Sequence, residues 1–149
     1  MTEARFYHLQ RTGLEQALPR LLEKTLARGW RAVVLAGSAA RVEALNQHLW
    51  TFEPESFLPH GGQRDGFAPD QPVWLTDQEE NPNQAQVLFL VDGSMVTDTQ
   101  RFELVCDLFD GNDAGAVAAA RERWRQLKAA GLSLTYWQQT ERGGWTCKA

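Results

Sequence analysis

The sequence predicts an α/β fold: a three-layer sandwich around a mostly parallel central sheet. Two observations carry this expectation. Short apolar runs such as "RAVVLAG", "PVWLTD" and "AQVLFLVDG" read as strands covered on both faces. Amphipathic stretches of helical period alternate with such runs near both ends of the chain, and right-handed crossovers then lay helices on the sheet faces. A chain of 149 residues has the length of one domain, and 1–149 reads as a single unit.

The elements follow in order. "ARFYHLQ" alternates well enough for a strand. Thr12 or Gly13 then caps a helix over "LEQALPRLLEKTLARG", in which Leu14, Ala17, Leu18, Leu21, Leu22 and Leu26 recur at helical spacing. Pro19 inside that pattern implies a kink or a later start, and Gly29 supplies the stop. After the strand "RAVVLAG", Ser38 caps a second helix, "AARVEALNQHLWTF". Residues 52–71 are rich in proline and glycine and read as a long loop. "PVWLTD", "AQVLFLVDG" and "RFELVCDLF" are three further strands. Asn112 or Asp113 caps a helix from about 114 to 130 that Gly131 ends, and "LSLTYWQQ" is the sixth strand. The tail "TERGGWTCKA" takes no clear element.

Charge and cysteine content narrow the function. The net charge of −4 argues against general affinity for nucleic acid or anionic membrane. Cys106 lies in an apolar run and reads as a core residue, Cys147 lies near the end, and no disulfide is expected. No signal pattern opens the chain and no run approaches a membrane span, so the expected location is the cytoplasm.

The search for chemistry returns little. The turn "LAGSAAR" has one glycine and no lysine, so it matches neither a phosphate loop nor a dinucleotide fingerprint. His8, His48 and His60 show no metal spacing, and His60 is at most a rim histidine. Glu53 and Glu55, or Glu79 and Glu80, read as solvated charge. No serine sits in a nucleophile elbow. No catalytic residue, cofactor or metal is expected.

One stretch departs from the acidic background. "RERWRQLKAAG" holds Arg121, Arg123, Arg125 and Lys128 against Glu122 alone, which leaves the rest of the chain 11 basic and 18 acidic residues. On a helical wheel Arg121, Arg125 and Lys128 share one sector, flanked by Val117 and Trp124. Ala116, Ala120, Leu127 and Ala130 form a separate stripe toward the core. Arg123 falls beside that stripe and must snorkel or pair with an acid. The face is either a solvated basic surface with Trp124 packed under it, or a site for a partner that carries negative charge and an apolar group.

Three segments in order carry a resemblance: "RFYHL", "ARVEALNQHLWTFEPESFLPHG" and "ARERWRQLKAAGLSLTYW". Together they resemble the chi subunit family of the bacterial DNA polymerase III holoenzyme, over nearly the whole chain. The resemblance implies a nucleotide-binding-like α/β topology without a phosphate loop and a non-catalytic accessory role. It implies two partners, a psi subunit of the clamp-loader assembly and the acidic C-terminal tail of the single-stranded DNA-binding protein SSB. It places the tail site on the last helix and the strand after it. Arg121 would take the terminal carboxylate, Arg125 would keep a basic position, and Trp124 stands where the family usually has another aromatic. Leu134 and Tyr136 would complete an apolar wall. Val117 stands where some relatives carry a lysine, with Lys128 a candidate to replace that charge. The apolar residues around "WTFEPESFLPHGG" either fold back on the sheet edge or meet a partner subunit. Two other readings remain open: a nucleotide-binding α/β enzyme whose motif has decayed, and a weak single-stranded DNA binder acting through the basic helix.

Overall fold

Strand β1 (Glu3–Leu9) leads into helix α1 (Leu14–Ala27), β2 (Ala32–Leu35), α2 (Ala39–Thr51), β3 (Gly61–Gly62), β4 (Val73–Thr76) and β5 (Val87–Leu90). Then follow β6 (Leu104–Asp110), α3 (Ala114–Ala129), β7 (Ser133–Gln139) and β8 (Trp145–Cys147). The computed structural model describes residues 2–10, 12–51, 60–62, 65–96, 99, 101–142 and 144–148, with Trp50 described by its backbone alone. The strands form one sheet in the order β3-β4-β2-β5-β6-β1-β7-β8. Every pairing is parallel except β7 with β8. The three-layer α/β expectation therefore holds.

Strand alternation divides the core in two. On one face Tyr7, Val34, Phe89 and Cys106 pack with Leu18 and Leu22 of α1 and Leu45 and Leu49 of α2. On the other, Phe6, Val33, Leu88, Val105 and Phe109 pack with Ala120 and Leu127 of α3. Both faces of β2, β4 and β5 are covered, which is why these strands read as unbroken apolar runs.

The helix boundaries follow from caps. Ser38 Oγ accepts from the Arg41 amide at 3.1 Å at the start of α2. Asp113, rather than Asn112, caps α3 by accepting from the Gly115 amide at 2.9 Å. At α1 the cap position is Gly13, and the Thr12 hydroxyl accepts instead from Gln139 Nε2. Both predicted glycine stops are Schellman motifs. Gly29 takes φ +80 and Gly131 φ +90, and the amides of Trp30 and Leu132 reach back to the carbonyls of Thr25 and Leu127.

Pro19 does not delay α1, which runs through it from Leu14. A proline has no amide to bond the carbonyl four residues back, here Glu15. His48 of α2 fills that place: its Nε2 donates to the Glu15 carbonyl at 2.5 Å.

Two strands go beyond the six expected. Gly61–Gly62 extends the sheet past β4 inside the segment read as loop, which also holds a short 3-10 turn at Ala68–Asp70. Residues 52–59, where most of the large apolar groups of that loop fall, lie outside the described residues. At the other edge, the tail read as unassigned forms β8, joined to β7 by a turn in which the Thr140 amide bonds the Gly144 carbonyl at 2.8 Å. Cys106 is buried and Cys147 exposed, and the two are not joined in a disulfide.

Candidate functional site

Helix α3 lies across β6, β1 and β7, and its seat is fixed by one ion pair. Arg123, on the core-facing side, donates from Nε and Nη2 to the two carboxylate oxygens of Asp107 on β6, at 2.5 and 3.0 Å. Both side chains are almost fully enclosed. Burial pushes the Asp107 carboxyl up from its ordinary value, and Arg123 pulls the other way. A bidentate fork fixes the helix in rotation as well as position. With Arg123 turned inward, Arg121 and Arg125 face outward on either side of Trp124.

Between α3 and β7 this leaves a cavity of about 260 Å³. Its walls are Val117, Trp124 and Tyr136, with Phe6 and Phe109 beneath and Arg121 and Arg125 at the rim. The aromatic rings lock one another edge-on. Trp124 stands over Phe6 with centroids 5.3 Å apart at 67°, and lies 6.3 Å from Tyr136 at 73°. His8 Nδ1 hydrogen-bonds the Tyr136 hydroxyl and so fixes the far wall. Partial burial raises the Tyr136 pKa, opposed by the charge of Arg121, so the phenol keeps its proton at neutral pH. Arg125 makes an exposed pair with Glu122 at 3.3 Å, a contact of small worth. Among the described residues no ion pair engages Arg121.

Five of the seven residues singled out from sequence meet at this cavity: Val117, Arg121, Trp124, Arg125 and Tyr136. Lys128 is exposed farther along α3, and Leu134 packs into the α3-side core; neither lines the cavity. Sequence reading missed Phe6 and Phe109 beneath and Ala120 in the wall. Phe6 and Phe109 sit on β1 and β6, which only the sheet order brings under α3. Their signal was alternation, which puts Phe6 and Tyr136 on one face of adjacent strands.

Comparison with known proteins identifies the family. The family model described as "DNA polymerase III chi subunit, HolC" matches residues 1–135. The chain belongs to this family. A relative from Rickettsia prowazekii (strain Madrid E), named "Probable DNA polymerase III subunit chi", is 34% identical over 91 residues. That match spans 61% of this chain and 55% of the relative, little more than half of its length.

Open α/β sheets hold ligands in the crevice outside the carboxyl ends of their strands. Here that crevice is a cleft of about 720 Å³ near the starts of α1 and α3. Its charged lining is Glu15, Asp92, Asp110 and Asp113 against Arg41 and Arg123. Both arginines are engaged: Arg123 with Asp107, and Arg41 with Asp92 at 3.1 Å and Glu15 at 3.2 Å. Glu15 accepts from its own backbone amide and from Arg41, which holds its pKa below the usual value. Four carboxylates around two committed guanidiniums repel a polyphosphate.

The remaining candidates serve the fold. His60 is buried, with Nε2 bonded to the Asn46 carbonyl at 3.2 Å. Glu80, read as solvated, instead accepts from Trp74 Nε1 at 2.9 Å and Thr76 Oγ1 at 2.7 Å. Among the described residues no group of three His, Cys, Asp or Glu side chains could hold a metal, and no helix is long and apolar enough to cross a membrane.

Proposed function

We propose that this chain is a non-catalytic accessory subunit that links the DNA polymerase III clamp-loader assembly to SSB. The α3–β7 cavity would hold the acidic C-terminal tail of SSB. The observation that carries the reading is Arg121: a guanidinium with no ion pair among the described residues, at the rim of an aromatic pocket sized for one side chain. A tail ending in an apolar residue with a free carboxylate matches both halves. The side chain enters between Trp124 and Tyr136, over Phe6, and the carboxylate meets the Arg121 fork. Arg125 attracts the acidic residues that precede it. Lys128, one turn on, adds to that field without touching the pocket.

Each charge-assisted hydrogen bond contributes about 1.5–3 kcal/mol and one buried side chain a similar amount. Ordering a flexible tail takes back several kcal/mol, which leaves a dissociation constant on the order of micromolar. Calorimetry with a tail peptide tests this. Arg121→Ala should weaken binding by about tenfold or more, Arg125→Ala less, and raised salt should weaken the wild type. An Arg121→Ala protein that folds normally and binds as tightly as wild type would remove the site from α3.

The second partner of this reading is a psi subunit or another clamp-loader component. The loop around 52–71 is the candidate surface, and Phe67 within it is 76% exposed. The work of such a linker is at the replication fork, in the cytoplasm, with DNA reached through SSB.

A further inference from the structure

Strand β1 sets one titratable side chain against the α3–β7 cavity. His8 is half-buried and shares the α3 face of β1 with Ala4 and Phe6. Phe109 is its register partner on β6, and Tyr136 on β7 stands diagonally from it. Its ring meets Phe109 with centroids 5.2 Å apart and Tyr136 at 5.8 Å. Gly111 closes another side: a Cβ there would lie 1.9 Å from the imidazole Cδ2 and Nε2. Three neighbours thus hold the ring with Nδ1 on the Tyr136 hydroxyl.

Burial does not impose this bond. Tyr136 is only partly buried, and water could satisfy its hydroxyl. A leucine or phenylalanine would fill the place of His8 on a face that is otherwise apolar here. What the bond decides is where the phenol proton points. A neutral imidazole accepts through Nδ1, so the Tyr136 proton is committed to His8 and the phenol shows only lone pairs to the cavity. A protonated imidazole carries N–H on both nitrogens. Its Nδ1–H then donates to the phenol oxygen, and the phenol O–H is released to turn toward the cavity. Imidazole is the side chain whose charge changes between about pH 5 and 8.

The charged groups on the elements packed against His8 are few. Strand β7 carries none. Strand β6 brings Asp107, which Arg123 of α3 engages, and Asp110 at its exposed end. Helix α3 brings Arg121, which lines the same cavity and acts on the ionisation of Tyr136, and the exposed Glu122–Arg125 pair. Asp113 is committed to the cap of α3. Glu3 and Arg5 of β1 alternate to the opposite face of the sheet.

We propose that His8 is a positioning residue of this cavity and makes its hold on a carboxylate depend on pH. The proposal rests on the reading of the cavity as the SSB tail site. With His8 neutral, Arg121 alone meets the terminal carboxylate of the tail. With His8 protonated, the Tyr136 hydroxyl donates to that carboxylate as well, and a second positive charge stands behind it. The proton comes from solvent, and the only covalent bond formed is the imidazole N–H. Tail affinity therefore rises as pH falls, and binding takes up a proton. By the same linkage the bound tail favours the charged form of His8.

Calorimetry on the intact protein tests this, with an N-acetylated tail peptide that has no group titrating between about pH 5.5 and 8. The wild type should bind about fivefold or more tighter at about pH 5.5 than at about pH 8. Repeated in buffers of different ionisation heat, the titration should show proton uptake near the middle of that range. His8→Asn keeps an acceptor for the hydroxyl but does not titrate, so its affinity should not change with pH. Tyr136→Phe keeps the ring and should lose most of the dependence. Arg121→Ala is measured in the same buffers. Wild-type affinity that stays level across this range, with Arg121→Ala still weakened, overturns the role of His8 and leaves the tail site standing. A dependence that persists in His8→Asn overturns it too. An Arg121→Ala protein that binds as wild type does removes the site, and this inference with it.

Discussion

Arg123 and Asp107 show how much one pair can fix. Sequence placed Arg123 beside the core stripe of α3, to snorkel or to pair with an acid, and its partner Asp107 is the buried one of the two acids in β6. What sequence could not supply was the distance, because the partner lies on another element. Breaking a buried pair from one side leaves an uncompensated charge, so Arg123→Met should lose about 3–5 kcal/mol, measured by urea unfolding. Arg123→Met/Asp107→Leu should regain most of that. The single variant should also change with pH. Without Arg123, burial alone acts on Asp107 and its folded pKa rises further above the ordinary 3.8. A raised folded pKa means stability that is full below the unfolded value and lost as pH rises through the folded one. The variant should therefore gain stability on acidification relative to wild type. The two thiols give a separate readout. Burial pushes Cys106 up to about 12, so a thiol reagent at neutral pH should titrate Cys147 at once and Cys106 only on unfolding.

Helices were more legible than strands, and the reason is punctuation. Ser38, Asp113, Gly29 and Gly131 each mark a boundary by a bond or a backbone angle that a few neighbouring residues decide. The edge strands carry no such mark. Gly61–Gly62 has no side chains to alternate and is defined only by pairing with β4. β8 left a signal that went unused: a glycine pair between two runs, as in a hairpin with a longer loop. Pro19 implied a disturbance within α1, and the structure answers it from a second helix. His48→Leu would leave the Glu15 carbonyl without that donor where α1 meets α2. The bond is exposed, so the expected loss is about 0.5–1.5 kcal/mol by thermal or urea unfolding. Restoring an amide with Pro19→Ala in the same chain should recover part of it.

The sheet order was not legible, because every strand buried on both faces carries the same apolar pattern. The cavity beneath α3 was legible in its α3 and β7 members apart from Ala120, and not in Phe6 and Phe109, for the same reason. Overall charge likewise concealed a separation: one basic surface borders α3, another runs along α1, and the sheet stands between them. The central position of β1 has a further consequence. Its neighbours are β6 and β7, whose residues follow it by about a hundred positions. A chain made from its N-terminus at ~5–20 residues per second keeps its first strand unpaired for roughly 5–20 s, while β2, β4 and β5 can already join. Strand β1 is thus made before β2 but paired after it, and translation itself sets the earliest moment at which the α3–β7 cavity can form.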